Sequence, residues 1–166
     1  MVLKCNYIAS RRGARIARHN MMKNETCPVA RSVDIIGDRW SLLIVRDAFD
    51  GMSRFSDFQR SLGMARNILS DRLQKLVAAG ILRTQAASDG TAYQEYVLTE
   101  KGERLFPLVV ALRQWGERYL FASGEPHSVL IDKRTLQTVP PMAPTAEDGA
   151  PLLPSATEVR KVQADG

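Results

Sequence analysis

The stretch RFSDFQRSLGMARNILSDRLQKLVAAGILRTQAASDGTAYQEYVL, residues 54–98, decides the fold. Phe55, Phe58 and Leu62 are spaced by three and four, one face of a short helix, with Ser53 or Ser56 placed to cap its start. Gly63 and Met64 interrupt that period. From Arg66 to about Ala79, the residues Leu69, Leu73, Leu76 and Val77 fall within about 100° on a helical wheel, which predicts a second helix with one buried stripe. Asn67, Ser70, Asp71, Gln74 and Lys75 face the other way. Gly80 stops this helix, Ile81 and Leu82 open a strand, Ser88 to Gly90 turn the chain, and Tyr93 to Leu98 return as a second strand. Two helices across a glycine turn, followed at once by a hairpin, form a winged helix-turn-helix. Its second helix carries polar and basic side chains that no core uses, on an element of the width that enters a DNA major groove.

Upstream of this unit, Val29, Val33, Ile36, Trp40, Leu43 and Ile44 follow the helical period, and Gly37 as a stop with Asp38 as a new cap divides them into two helices, about 28–37 and 40–49. Downstream, Thr99 is placed to cap one long helix in which Leu105, Leu108, Val109, Leu112, Trp115, Tyr119 and Leu120 recur at helical spacing, ending near Ser123 and Gly124. That apolar face exceeds what a small winged core can cover, so part of it is expected to meet a second subunit. Past Gly124 the composition turns proline-rich, and a short β-hairpin over 128–140 with a loose end is the most that the pattern supports. The expected class is therefore mainly α with a small β-hairpin wing, bearing long dimerisation helices and a short C-terminal hairpin or tail. Three regions follow: a basic arm at 1–26, the winged domain at 27–122 and the extension at 123–166.

Charge sharpens the picture once it is divided along the chain. The net charge is +5, and residues 1–26 hold six Lys and Arg against one acid, which accounts for all of it. That arm, with its run RRGARIAR, reads either as a flexible contributor of phosphate contacts or as an overlong gene start preceding Met21 or Met22. The remainder is neutral, yet within 54–83 Arg54, Arg60, Arg66, Arg72, Lys75 and Arg83 face only Asp57 and Asp71, a local +4.

Other classes find little support. The apolar run near Val109 to Leu112 is far shorter than the roughly 18 to 20 residues that span a bilayer, and no signal-peptide pattern follows the basic start. Cys5 and Cys27 make no disulfide framework and no CxxC pair, so a reducing cytoplasmic location is expected. His19 and His127 stand apart from each other and from paired cysteines, so neither metal nor cofactor is expected. Asp34, Asp38 and Asp47 read as helix-surface acids, Trp40, Phe55, Phe58 and Trp115 as core or interface residues, and no nucleotide or nucleophile-elbow motif is present. Two rivals from other classes remain: a thiol enzyme centred on Cys27, without a general base nearby in sequence, and a winged fold that binds only another protein.

Five ordered motifs carry a family resemblance: CPVARSVDIIGDRW at 27–40, RFSDF at 54–58, ILSDRLQKL at 68–76 with AAGIL following, EYVLTEKG at 95–102 and LFPLVVALRQW at 105–115. Together they resemble the HxlR-type regulators, a branch of the MarR-like winged-helix proteins. The resemblance implies a homodimeric transcription regulator, a repressor or else an activator, with dimer contacts from the N-terminal and long C-terminal helices. Val29, Val33, Leu108, Leu112, Trp115 and Tyr119 are the residues expected there. It further implies a small-molecule effector or a thiol response at Cys27, a position where some members sense oxidants. A helix N-terminus favours the reactive thiolate, whereas the plainer reading makes Cys27 a small buried spacer. Two departures stand out. Ala65 occupies the place where such proteins often carry a capping Ser, a loss of about 1 kcal/mol, and Ala92–Tyr93 replaces the Pro-Arg pair common in the wing.

The expected partner is double-stranded DNA with a pseudo-palindromic operator, read by two recognition helices in successive major grooves. Arg66, Asn67, Ser70 and Asp71 are the candidates for base edges, Arg66 suiting guanine and Asn67 adenine, the alternative being solvated surface residues. Lys75 and Arg54 suit phosphates, and Arg83 is the cation nearest the wing. Arg72 lies nearer the core edge, where a salt bridge to another helix competes with a DNA contact.

Overall fold

The computed structural model describes residues 26–161. The arm expected at 1–26, including Cys5 and His19, lies outside the described residues apart from its last position. Among these residues six α-helices and one hairpin follow in order: α1 Pro28–Ile36, α2 Arg39–Phe49, α3 Phe55–Leu62, α4 Arg66–Ala78, β1 Leu82–Ala86, β2 Gln94–Leu98, α5 Glu100–Glu103 and α6 Phe106–Tyr119, with a 3-10 turn at Pro154–Ala156. The strands pair antiparallel with Leu82 opposite Leu98 and Ala86 opposite Gln94. This is the winged helix-turn-helix that residues 54–98 predict.

The core lies where α2 meets α3, α4 and the wing. Ile44, Val45, Phe58, Leu69, Leu73 and Leu76 are fully buried, with Ile36, Met64, Ile81 and Leu82 around them. Three leucines on one stripe of α4 fix which face the helix turns outward. Replacing one by Ala costs about 2 to 5 kcal/mol through lost burial and the cavity left behind.

Local chemistry sets the boundaries. Asp38 caps α2, its Oδ1 accepting from the backbone N–H of Trp40 at 3.0 Å and of Ser41 at 3.1 Å, and its Oδ2 from the Ser41 hydroxyl at 2.5 Å. Although partial burial raises its pKa, those hydrogen bonds and the charge of Arg72 hold the Asp38 carboxyl below its ordinary value. Arg54, rather than Ser53 or Ser56, is the N-cap residue of α3, with no side-chain cap, because the chain enters the helix extended from a bridge to the wing. Gly63 closes α3 with φ of 60°, the left-handed turn that lets α4 start at once.

The long helix expected after Thr99 is two helices. Thr99 caps α5 through Gly102 N–H, and its hydroxyl donates to the Gly80 carbonyl at 2.6 Å. A Cβ on Gly102 would stand 2.2 Å from the Ile81 carbonyl oxygen, so only glycine lets α5 lie on the start of the wing. The chain breaks at Arg104 and Leu105 because Pro107 has no N–H for the preceding turn and instead occupies the first turn of α6.

The extension also differs from a loose end. Its expected hairpin is a single bridge, Ile131 to Thr138, too short to count as strands. Gln114 of α6 then holds it from both sides of the amide, Nε2 donating to the Pro140 carbonyl at 3.0 Å and Oε1 accepting from Met142 N–H at 2.7 Å. Asp47 corrects another expectation. It is 1% exposed rather than on the surface, its Oδ1 bound by Arg46 Nε at 2.9 Å and its Oδ2 buried without a partner. Among the described residues, no helix is long and apolar enough to cross a membrane.

Candidate nucleic-acid interface

The outer face of α4 is set by its inner one. With Leu69, Leu73 and Leu76 buried, Arg66, Asn67, Asp71, Gln74 and Lys75 are exposed and Ser70 and Arg72 half-buried. Ala65 stands at the N-cap with no side-chain acceptor, as its identity dictates. The first backbone N–H groups of α4 therefore have no side chain over them, at the end of the helix that favours anions.

The basic cluster is less positive in space than along the chain. Arg60 lies 3.4 Å from Asp57 and Lys75 2.9 Å from Asp71. Arg72 Nε lies 3.5 Å from Asp38 Oδ1 across the α2–α4 contact, an ion pair that is not aligned as a hydrogen bond. Arg54 pairs with Asp89 at the wing turn and approaches Glu95 at 4.0 Å. Asp38, Asp89 and Glu95 thus join Asp57 and Asp71 against the six basic side chains. Among the described residues, Arg66 and Arg83 pair with no carboxylate. The Arg66 guanidinium lies 5.1 Å from the Phe55 ring centre, and Arg83 donates to Gln85 Oε1 at 2.8 Å.

The wing is fastened from within. Asp89 Oδ1 accepts from the Thr91 hydroxyl at 2.7 Å and from Thr91 N–H at 3.1 Å. Those bonds, together with Arg54, bring the Asp89 pKa down to about 2, while Asp89 raises that of Arg54. Glu95 is buried on β2, accepts from the Ser88 hydroxyl at 3.2 Å and shares a backbone bridge with Arg54. Tyr96 N–H adds a 2.7 Å bond to the Ser53 carbonyl, so the segment before α3 lies along the wing. Neither Asp89 nor Glu95 was expected in this role. Glu95 carried a signal, an acid among the apolar residues of EYVL, whereas Asp89 looked like a turn residue only.

Cys27 is exposed at the N-cap of α1 in the single chain. Val29 is 69% exposed and Val33 55%, and on α6 Leu108, Leu112, Trp115 and Tyr119 are 41% to 61% exposed.

Residues 35–123 match the family model described as HxlR-like helix-turn-helix. Rv3095 of Mycobacterium tuberculosis (strain ATCC 25618 / H37Rv), an uncharacterized HTH-type transcriptional regulator, is 45% identical over 92 residues, which cover 55% of this chain and 58% of that relative. The chain thus spans little more than half the length of that relative. The crystal structure of PA1607 matches with a TM-score of 0.81 at 51% identity, over 85% of this chain and 99% of that one, so the likeness takes in part of the extension. The redox regulator HypR in its reduced form matches with a TM-score of 0.50 at 33% identity, over 55% of this chain and 91% of its own. The chain belongs to the HxlR-like helix-turn-helix family and carries the winged helix-turn-helix DNA-binding domain of that family.

Proposed function

We propose that this protein is a homodimeric transcription regulator, a repressor in its simplest form, that reads a pseudo-palindromic operator with the N-terminal half of α4. The observation that carries the reading is the division of labour on that helix: Leu69, Leu73 and Leu76 wholly buried on one face, and on the other an exposed Asn67 beside Arg66, which pairs with no carboxylate. Arg66 suits a guanine edge and Asn67 an adenine edge, each worth about 1 to 3 kcal/mol of discrimination. Ser70 adds a hydroxyl within reach of the same groove, and Asp71 an acceptor that Lys75 holds in place. Lys75, Arg54, Arg72 and Arg83 supply phosphate contacts, Arg54 and Arg72 only by exchanging their present acids for a phosphate.

Dimerisation is supported by the apolar side chains that the monomer leaves in water. Val29 and Val33 on α1, and Leu108, Leu112, Trp115 and Tyr119 on α6, project from two helices that both pack on α2. A twofold dimer formed through them would suit half-sites about 34 Å apart, one turn of DNA.

The response is assigned to an effector or to modification of Cys27, whose thiol stands exposed at a helix N-terminus. That a structural relative is named a redox regulator supports the second route. Anisotropy titration of DNA upstream of the protein's own gene and of its divergent neighbour, with and without diamide, tests all of this. An anisotropy rise on neither fragment would contradict local regulation. Unchanged binding under diamide, matched by Cys27→Ser, would remove the thiol route, and transcription unaffected by added protein would remove repression.

A further inference from the structure

Between α2, α6 and the beginning of the extension lies a cavity of about 290 Å³, floored by Leu42, Leu43, Val109 and Leu112. An apolar cavity of about 150 Å³ holds one benzene, so this one admits two fused rings. Phe121 walls one side with its ring 4.9 Å from that of His127, a residue beyond the span of the family model. The site is therefore built partly from the extension rather than from the DNA-binding domain alone.

Its polar groups restrict what fits. Glu117 lines the cavity, and its Oε1 is withdrawn from solvent with no hydrogen-bond donor. Arg113 Nη1 forms an ion pair with it at 3.7 Å, not aligned as a hydrogen bond, and donates to Ser128, at 3.1 Å to the carbonyl and 2.8 Å to the hydroxyl. Arg46, the remaining cation on the wall, is bound to Asp47. The Glu117 side chain is nevertheless 24% exposed, so its other oxygen, Oε2, is open to a ligand N–H or O–H. An anion would meet the Glu117 carboxylate, and a cation would meet Arg46 and Arg113. A neutral donor avoids both.

Gly116 is the second observation. It stands inside α6, where glycine is less favourable than alanine, yet an added Cβ would touch only Leu120 Cδ1, at 3.9 Å. Backbone packing in the chain does not require glycine here; the consequence of its presence is open volume on the cavity wall.

We infer that this cavity is a binding site for a small neutral aromatic molecule carrying one hydroxyl or N–H donor, seated over Gly116 with the donor on the open oxygen, Oε2, of the Glu117 carboxylate. It names the ligand class for the effector response proposed above and rests on that reading for its consequence. Because Leu112 belongs both to the cavity floor and to the apolar seam assigned to the dimer, an occupied cavity and a relaxed seam would be coupled.

Calorimetric titration of the DNA-free full-length protein with 2-naphthol tests the site. Saturable binding is expected, weakened about tenfold or more with 2-methoxynaphthalene, which has the same rings but no donor, and with 2-naphthoate, which carries a charge. Gly116→Leu should abolish binding while Gly116→Ala retains it, both with native circular dichroism. The wild-type comparison of naphthol with methoxynaphthalene stands even if Gly116→Leu fails to fold. Absence of saturable naphthol binding, or equal binding of the methyl ether, would overturn the proposal. So would a Gly116→Leu protein that loses its dimer by sedimentation while the wild type ignores naphthol, since a second copy would then fill the space. Repeating the operator titration with naphthol separates the two readings: binding that leaves operator affinity unchanged supports the site and contradicts the effector role.

Discussion

The N-terminal half of α4 and the wing lie side by side on the face assigned to DNA, and they are built in opposite ways. On α4 the inner side chains are fixed by a dry core, while on the outer face Asn67 is exposed and Arg66 pairs with no carboxylate. In the wing the polar groups are spent on one another: Arg54 on Asp89, Asp89 on Thr91, Ser88 on Glu95. A side chain already engaged must release a partner before it meets a phosphate or a base edge. One that is exposed beside a rigid helix need not. In the proposed reading this difference gives sequence recognition to α4 and leaves the wing as a self-fastened arm that contributes general contacts.

The largest effect that separates the regions is on stability. Leu73→Ala should cost about 2 to 5 kcal/mol, lowering the thermal midpoint by several degrees, because Leu73 is fully buried. Tyr93→Ala, at a residue 71% exposed beside β2, should stay within about 0.5 kcal/mol. Equal losses at the two sites in thermal unfolding would break the comparison. Next in size, Ala65→Ser should stabilise the protein by about 1 kcal/mol by giving α4 the acceptor it lacks, read as a higher denaturation midpoint in urea at unchanged slope.

Smaller effects belong to the wing. Asp89→Ala should free Arg54 for phosphate and steepen the dependence of log affinity on log salt by about 0.9, the value of one added phosphate contact, with base preference unchanged. A change of preference instead would place reading in the wing. The pH response has a defined sign. The folded Asp89 pKa lies below the ordinary carboxylate value, at about 2, so the clasp stabilises fully above about pH 4 and is lost as pH falls toward 2. Between pH 5 and 8 it should not change, which carboxylate chemical shifts would follow directly.

Much of this was legible in the sequence, and the parts that were not have a common cause. Helical period placed Leu69, Leu73 and Leu76 correctly because burial on one face repeats locally. The Asp38 cap was readable because the capping residue and the groups it serves are adjacent. Arg54 with Asp89, and Arg72 with Asp38, join residues about thirty-five positions apart along the chain, so counting charge within a window could not find them. The local +4 was right as arithmetic and overstated as a field, since three of the opposing acids lie outside that window. The break before α6 was carried by Pro107, which the apolar period alone conceals. Buried Asp47 left no mark in the pattern, because its partner is the neighbouring Arg46 and its burial comes from packing.

The central claim is that DNA is read through the exposed start of α4. Fluorescence anisotropy of the upstream DNA against wild-type, Arg66→Ala and Asn67→Ala protein, each across a range of salt, tests it most directly. The account predicts salt-dependent binding by the wild type and a loss of roughly tenfold or more in each variant, confined to the operator over random DNA, with folding unchanged. Operator affinity left intact in both variants would contradict it.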